Sequence, residues 1–246
     1  MSDDYTYIKR CLELAAKGAG FVAPNPLVGA VLVYQDKIIG EGWHRIYGEA
    51  HAEVNCINSV KDDDKHLIEK SALYVSLEPC SHYGKTPPCT DLILRHNIKK
   101  VVIGCVDSFT KVNGSGIQKL RNAGIETVLG DWQNECMAMN KRFFTYHEKK
   151  RPYIILKWAQ TADQKMTGNN NERLHISNDL SNRLVHKWRS EEAAIMVGKN
   201  TAVKDNPSLS NRLWSGKNPV RIVIDKNLEL PSDLNVFKQE AKTMIF

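Results

Sequence analysis

No stretch of this chain approaches the ~20 consecutive apolar residues that a helix needs to cross a bilayer. The opening residues, Met1-Ser-Asp-Asp4, are acidic and lack the basic-then-apolar order of a secretory leader. A cytoplasmic location is therefore the expectation. Cysteine is sparse, six in 246 residues, and without a leader this points to thiols and metal ligands rather than disulfides. No G-x-G-x-x-G run follows a strand, which argues against a Rossmann dinucleotide fold. There is no internal repeat and no low-complexity tract. Basic residues do not cluster either. The net charge is +6, but its densest group is only Lys149-Lys150-Arg151. The charge reads as solvated surface with a share for phosphorylated ligands, not as a nucleic-acid face.

What is present is an ordinary globular composition. Hydrophobic residues make up 42% and the mean hydropathy is −0.40, with length enough for one large or two ordinary domains. Helical periodicity runs from Tyr5 to Lys17, with Ile8, Cys11, Leu12, Ala15 and Ala16 on one face. Val28–Tyr34 and Ile38–Trp43 read as an antiparallel pair. His51–Val60 reads as a helix, Leu73–Leu77 as a buried strand and Pro88–His96 as a helix entered through Pro-Pro. Lys100–Cys105 is a strand, Gly116–Ala123 a helix, Glu126–Leu129 a strand and Trp132–Tyr146 one long helix. This alternation predicts an α/β layered domain whose sheet is partly parallel. The polar run His147-Glu-Lys-Lys-Arg-Pro152 marks a boundary. Beyond it, strands are expected at Tyr153–Ala159, Ala193–Gly198 and Arg221–Asp225, a loop at 169–171 and a helix at Asp179–Arg189.

The chemistry concentrates in His51-Ala-Glu53 and in Glu78-Pro-Cys80-Ser-His82-Tyr-Gly-Lys85-Thr-Pro-Pro-Cys89. An isolated His-Ala-Glu is most often a surface helix turn, and isolated cysteines are most often small buried hydrophobes. Together they offer one imidazole and two thiolates, a donor set that suits zinc and leaves a fourth position open for water. Glu53 stands beside the set as a carboxylate free for proton transfer. An H-x-E followed by Pro-Cys and a second Cys is the plan of a zinc deaminase. His51 opens a helix, and Cys80 to Cys89 links a strand to the next helix, so the ligands should converge at one crevice of the sheet. Remaining alternatives are a deaminase of a nucleoside or tRNA base and a non-catalytic zinc-stabilised module. The first prefers two residues between its cysteines, where eight stand here, Ser81 to Pro88. The second needs a fourth protein ligand, and none is evident.

With Pro24-Asn25-Pro26-Leu27-Val28-Gly29 upstream, the Cys80–Cys89 segment resembles the bifunctional deaminase/reductase family of riboflavin biosynthesis, from about Tyr5 to the last residue. The resemblance implies a cytidine-deaminase-like α/β/α layered domain over residues 1–147. A partial dihydrofolate-reductase-like α/β domain should follow over 151–246. It implies zinc-dependent hydrolytic deamination of a diamino-pyrimidinone ribotide, then NADPH-dependent reduction of its ribosyl group to ribityl. The partner is thus a small molecule, with no nucleic acid or membrane; the oligomeric state, homo-oligomer included, stays open. His51, Cys80 and Cys89 are the implied zinc ligands and Glu53 the proton carrier. Asn25, His44, His82 and Lys85 are implied at the substrate of the first domain, with Asp107 and Asn113 in a crevice-facing loop.

In the second half, Lys157, Arg173, Arg189, Leu209 and Arg212 are implied near substrate, and Ala159, His175, Thr201, Asp205 and Lys226 near NADPH. Two departures stand out. Gln164 occupies a position where the family usually has Gly, and His175 one where Trp is common. The 96 residues from Arg151 are about half the expected reductase length. A glycine-rich phosphate segment is not among them, and Lys242-Thr-Met-Ile-Phe246 reads as an entering strand. The expectation is an incomplete reductase half.

Overall fold

The computed structural model describes residues 3–84, 86–108, 113–166 and 176–246. The chain divides into two compact units, Met1–Ile154 and Ile155–Phe246.

The first unit is built on a five-stranded sheet of order β2-β1-β3-β4-β5. Its strands are β1 (Gly29–Tyr34), β2 (Lys37–Trp43), β3 (Ala72–Val75), β4 (Lys100–Ile103) and β5 (Glu126–Leu129). β1 runs antiparallel to both β2 and β3, whereas β3, β4 and β5 are mutually parallel. Alternation along each strand sends side chains to two cores. Ala30, Leu32, Leu73, Val75, Val101 and Ile103 face one layer, formed by α2 (Ala52–Asn58), α3 (Cys89–Arg95) and α4 (Ser115–Asn122). Val31, Val33, Tyr74 and Val102 face the other, where Ile8, Cys11 and Leu14 of α1 (Asp3–Ala16) pack with Cys136 of α5 (Gln133–Met139) and Phe144 of α6 (Lys141–Lys149). The result is the α/β/α sandwich expected. Each large aliphatic side chain buried in it contributes about 1.5–3 kcal/mol.

One close approach sets where the site can form. A Cβ on Gly42 of β2 would lie 2.2 Å from the backbone nitrogen of Cys56. Only glycine lets α2 rest backbone-on-backbone against β2, and this contact fixes the helix that His51 opens.

Three element readings need correction. The helix expected from Trp132 to Tyr146 is two helices, α5 and α6, divided at Asn140. Its side chain accepts from Leu27 N at 2.7 Å and donates to Leu27 O at 2.8 Å; helical periodicity continued through a residue whose partner lies elsewhere. A 3-10 helix over Asp62–Lys70 and a helix α8 (Lys199–Asp205) were not foreseen. The strand expected at Tyr153–Ala159 is absent. These residues have no regular secondary structure, and Leu156 is 79% exposed. An apolar run becomes a strand only if a neighbour takes up its backbone hydrogen bonds, and the described ladders of both units pair other segments.

The second unit carries a parallel sheet of order β6-β7-β8, formed by Ala194–Gly198, Val220–Ile224 and Thr243–Ile245. The C-terminal residues thus do enter a strand, paired to β7. With α8, the sheet surrounds a small core of Ala202, Leu209, Val223, Leu234 and Val236; α7 (Asp179–Glu191) precedes β6.

Candidate metal centre

His51 is the N-cap of α2, Cys89 is the first residue of α3, and Cys80 lies in the loop after β3. These positions bring one donor from each of three segments to the same end of the sheet. The His51 Nδ1 atom is 3.6 Å from Cys80 Sγ and 3.4 Å from Cys89 Sγ. All three ligand atoms lie within 4.8 Å of one another. A tetrahedral ion with Zn–S of about 2.3 Å and Zn–N of about 2.1 Å would separate its ligand atoms by roughly 3.4–3.8 Å. The trio fits a zinc ion with little rearrangement, and three protein donors leave a fourth position for water.

The electrostatics place negative charge on one of the two sulfurs: the hydrogen bond to Cys80, and then burial, push the Cys89 thiol well up. The Cys89 thiol and the His51 ring both stabilise charge on Cys80, holding its thiol well below the usual range despite burial. The Cys89 backbone N–H adds a further bond to the Cys80 sulfur at 3.3 Å. The His51 ring is raised, first by its hydrogen bond to Cys80. Glu53, on the first turn of α2, is 3% exposed. Burial first, and the adjacent Cys80 charge second, push its carboxyl up. A carboxyl raised in this way is suited to both taking and returning a proton.

Asn25 and His44 meet beside this group. His44 Nδ1 lies 3.1 Å from the Ala50 carbonyl, and His44 Nε2 lies 3.1 Å from Asn25 Nδ2. A carbonyl only accepts, so Nδ1 carries the proton and Nε2 accepts from the Asn25 amide. Burial lowers the His44 pKa, which keeps the ring neutral. The His44 and His51 rings approach edge-on at 5.4 Å between centroids. His82 is half-buried on the loop between the two cysteines and Asp107 is buried after β4, while Asn113 adopts a positive φ of 26°. Lys85 lies outside the described residues.

The second-unit residues separate into two groups. Arg189 Nη1 donates to Ser210 O at 3.1 Å, Arg212 Nη1 donates to Ser210 Oγ at 2.9 Å, and Leu209 is buried between these positions in sequence with φ of 51°. The structure brings these three together. By contrast, Thr201 and Asp205 are exposed on α8, Lys226 is exposed after β7, Lys157 is exposed and Ala159 half-buried in the irregular segment. Arg173 and His175 lie outside the described residues. Gln164 has a left-handed φ of 64° in a turn closed by Gln164 N to Thr161 O at 2.9 Å. That conformation explains why a glycine suits the position.

Comparison with known proteins agrees with the geometry. Residues 1–105 match the cytidine and deoxycytidylate deaminase zinc-binding region, and residues 152–246 match the RibD C-terminal domain. The chain is 43% identical over 244 residues to riboflavin biosynthesis protein RibD of Aquifex aeolicus, covering 98% of this chain and 67% of that protein. This chain belongs to the RibD family of riboflavin biosynthesis proteins. The RibD of Actinobacillus pleuropneumoniae is 42% identical, with 98% of this chain and 64% of that protein covered. Among solved structures, a diaminohydroxyphosphoribosylaminopyrimidine deaminase/5-amino-6-(5-phosphoribosylamino)uracil reductase from Thermotoga maritima is similar with a TM-score of 0.92 and 42% identity. That similarity covers 99% of this chain and 69% of that one. The chain thus spans about two thirds of the length of the relatives it matches. It combines a deaminase zinc-binding region with the family's C-terminal domain.

Glu78 was quoted in the motif but given no role by sequence reasoning. It is 4% exposed and accepts four backbone hydrogen bonds. Its place immediately before Pro79-Cys80 was the only available signal.

Proposed function

We propose that the first unit hydrolytically deaminates 2,5-diamino-6-ribosylamino-4(3H)-pyrimidinone 5′-phosphate. The observation carrying this reading is the His51–Cys80–Cys89 trio with buried Glu53 beside it and no fourth protein ligand among the described residues. Zinc bound there supplies a Lewis acid that makes a water molecule nucleophilic near neutral pH. A Glu53 carboxylate oxygen would take a proton from the attacking water, deliver it to the ring nitrogen next to the reacting carbon, and carry the second to the departing amine. A C–O bond forms, a C–N bond breaks, and ammonia leaves. Asn25 orients the pyrimidine. Its amide nitrogen is committed to neutral His44, which leaves its oxygen to accept from a substrate amino group. We assign His82 and Lys85, from the segment between the cysteines, to the ribose phosphate of the substrate.

The second unit supplies part of the reductase half, whose role is NADPH-dependent reduction of the ribosyl group to ribityl. Arg189 and Arg212, gathered at Ser210, are suited to an anionic substrate group, and the family resemblance assigns Leu209, Lys157 and Arg173 to the same substrate. Ala159, His175, Thr201, Asp205 and Lys226 are assigned to NADPH by the family resemblance. We place the domains at 1–147 and 151–246, the partner as a small pyrimidine ribotide, and the location in the cytoplasm.

The test is zinc content together with ammonia release from the ribotide by the 246-residue chain. One zinc per chain with turnover is expected. Release from cytidine or a tRNA adenosine in place of the ribotide would overturn the substrate assignment, and zinc without any turnover would favour a binding module.

A further inference from the structure

We propose that Glu78 is a positioning residue for the metal centre, holding the backbone that presents Cys80 before any ion is bound. The inference rests on the zinc reading above.

Its carboxylate is buried and surrounded by main-chain donors. Oε2 accepts from Asp107 N at 3.1 Å and Gly114 N at 2.9 Å. Oε1 accepts from Gly116 N at 2.8 Å and Ile117 N at 3.2 Å. No ion pair compensates it among the described residues. A buried carboxylate is costly unless its lone pairs are filled, and here backbone amides fill them from two separate segments. The Gly116 and Ile117 amides belong to the first turn of α4, where the helix itself supplies no acceptor. One side chain therefore satisfies the end of a helix and the exit of β4 together.

The same arrangement clamps the Cys80 loop. Glu78 N donates to Cys105 O at 2.9 Å, and Thr90 N donates to Cys80 O at 3.1 Å. A Cβ on Gly116 would sit 2.1 Å from the Pro79 carbonyl oxygen, so α4 lies directly on the peptide between Glu78 and Cys80. The Ser81 and Ser115 hydroxyls meet at 2.6 Å on the far side of the cysteine. Cys80 is flanked before and after by contacts to α4, and Glu78 is the charged, fully bonded member of the set. Groups that orient a metal ligand without touching the metal commonly govern 10–100-fold in affinity.

In Glu78→Gln one oxygen becomes an NH₂ facing two N–H groups, so two of the four bonds turn repulsive while size is kept. Zinc affinity is measured by competition with a chromophoric chelator, at a temperature where circular dichroism shows the variant folded. The expected result is binding weaker by ~10–100-fold, with the turnover of zinc-saturated protein changed much less. A helix cap of purely structural effect would lower the melting temperature and leave zinc affinity untouched. A folded E78Q binding zinc within about twofold of wild type overturns the proposal.

Amide exchange on metal-free wild type gives a second decision that holds even if E78Q fails to fold. Protection at Asp107, Gly114, Gly116 and Ile117 is expected, because Glu78 is their acceptor without metal. Loop-like exchange at these four amides overturns the proposal. Wild type that binds no zinc removes the function reading itself, whereas zinc-binding wild type with an unaffected E78Q removes only this inference.

Discussion

Asn140 and Leu27 stand 113 residues apart and exchange two hydrogen bonds, the Asn140 side chain pairing with both the N–H and the C=O of Leu27. The amide acts as a piece of neighbouring strand for Leu27, two residues after the Val22–Asn25 turn. It also ends α5 and starts α6. One polar residue thus connects the helical layer to the turn beside the metal centre.

Replacing Asn140 by Ala should destabilise the first unit by about 1–3 kcal/mol, since two backbone groups lose partners in a partly buried setting. Urea unfolding would measure it. Because the same turn presents Asn25, KM for the ribotide should rise more than kcat falls. Unchanged KM with lowered stability would confine Asn140 to the fold.

Glu53→Gln should keep one zinc and the native circular dichroism while losing deamination by ~10²–10⁴-fold. The amide keeps the shape of the side chain but cannot accept the proton from water. Near-wild-type ammonia release would remove Glu53 from the reaction.

Cys80→Ser should fail to retain zinc on gel filtration, because a neutral hydroxyl replaces the sulfur that His51 and Cys89 hold as thiolate. Elemental analysis reads the outcome directly. Full zinc stoichiometry in this variant would refute the ligand assignment.

Arg10 and Glu41 make a two-pronged ion pair, Nε to Oε1 at 2.6 Å and Nη2 to Oε2 at 2.9 Å, tying α1 to β2. The guanidinium lowers the Glu41 carboxyl. The folded pKa lies below the unfolded one, so the stabilisation is complete above the ordinary carboxylate range and is lost as pH falls through the lowered value. Both side chains are about one-third exposed, and solvent screening limits the coupling to about 1 kcal/mol or less. A double-mutant cycle of R10M and E41Q should give that coupling at pH 7 and almost none at strongly acid pH. A coupling independent of pH would contradict the assignment.

NADPH should bind the 246-residue chain weakly. Glycines between 151 and 246 occur singly, at Gly168, Gly198 and Gly216, so no glycine-rich run offers a cradle of backbone N–H groups for phosphates. Thr201, Asp205 and Lys226 remain as exposed side chains. Fluorescence titration checks this, and tight stoichiometric binding would show that side chains alone suffice.

Much of the first unit was legible in the order of residues. Short apolar runs marked β1, β2 and the parallel strands, of which β1, β3 and β4 are buried on both faces, and helical periodicity marked α1, because a helix must bury one face and its spacing follows from backbone geometry. His51, Glu53, Cys80 and Cys89 were legible too, since few chemistries need one imidazole, two thiols and a spare carboxylate. Other features arose only from tertiary contact. The helix break at Asn140 depends on Leu27, and the role of Glu78 depends on amides at Asp107 and in α4. The reading of Tyr153–Ala159 as a strand failed for the same reason. Local pattern records what a segment can bury, but hydrogen bonds between distant segments decide which polar groups are satisfied and where a chain must bend. The sequence by itself determined the periodic elements and the donor set of the metal centre. Only the tertiary structure decided that three donors from three segments lie within bonding distance of one point, and which buried side chains hold them there.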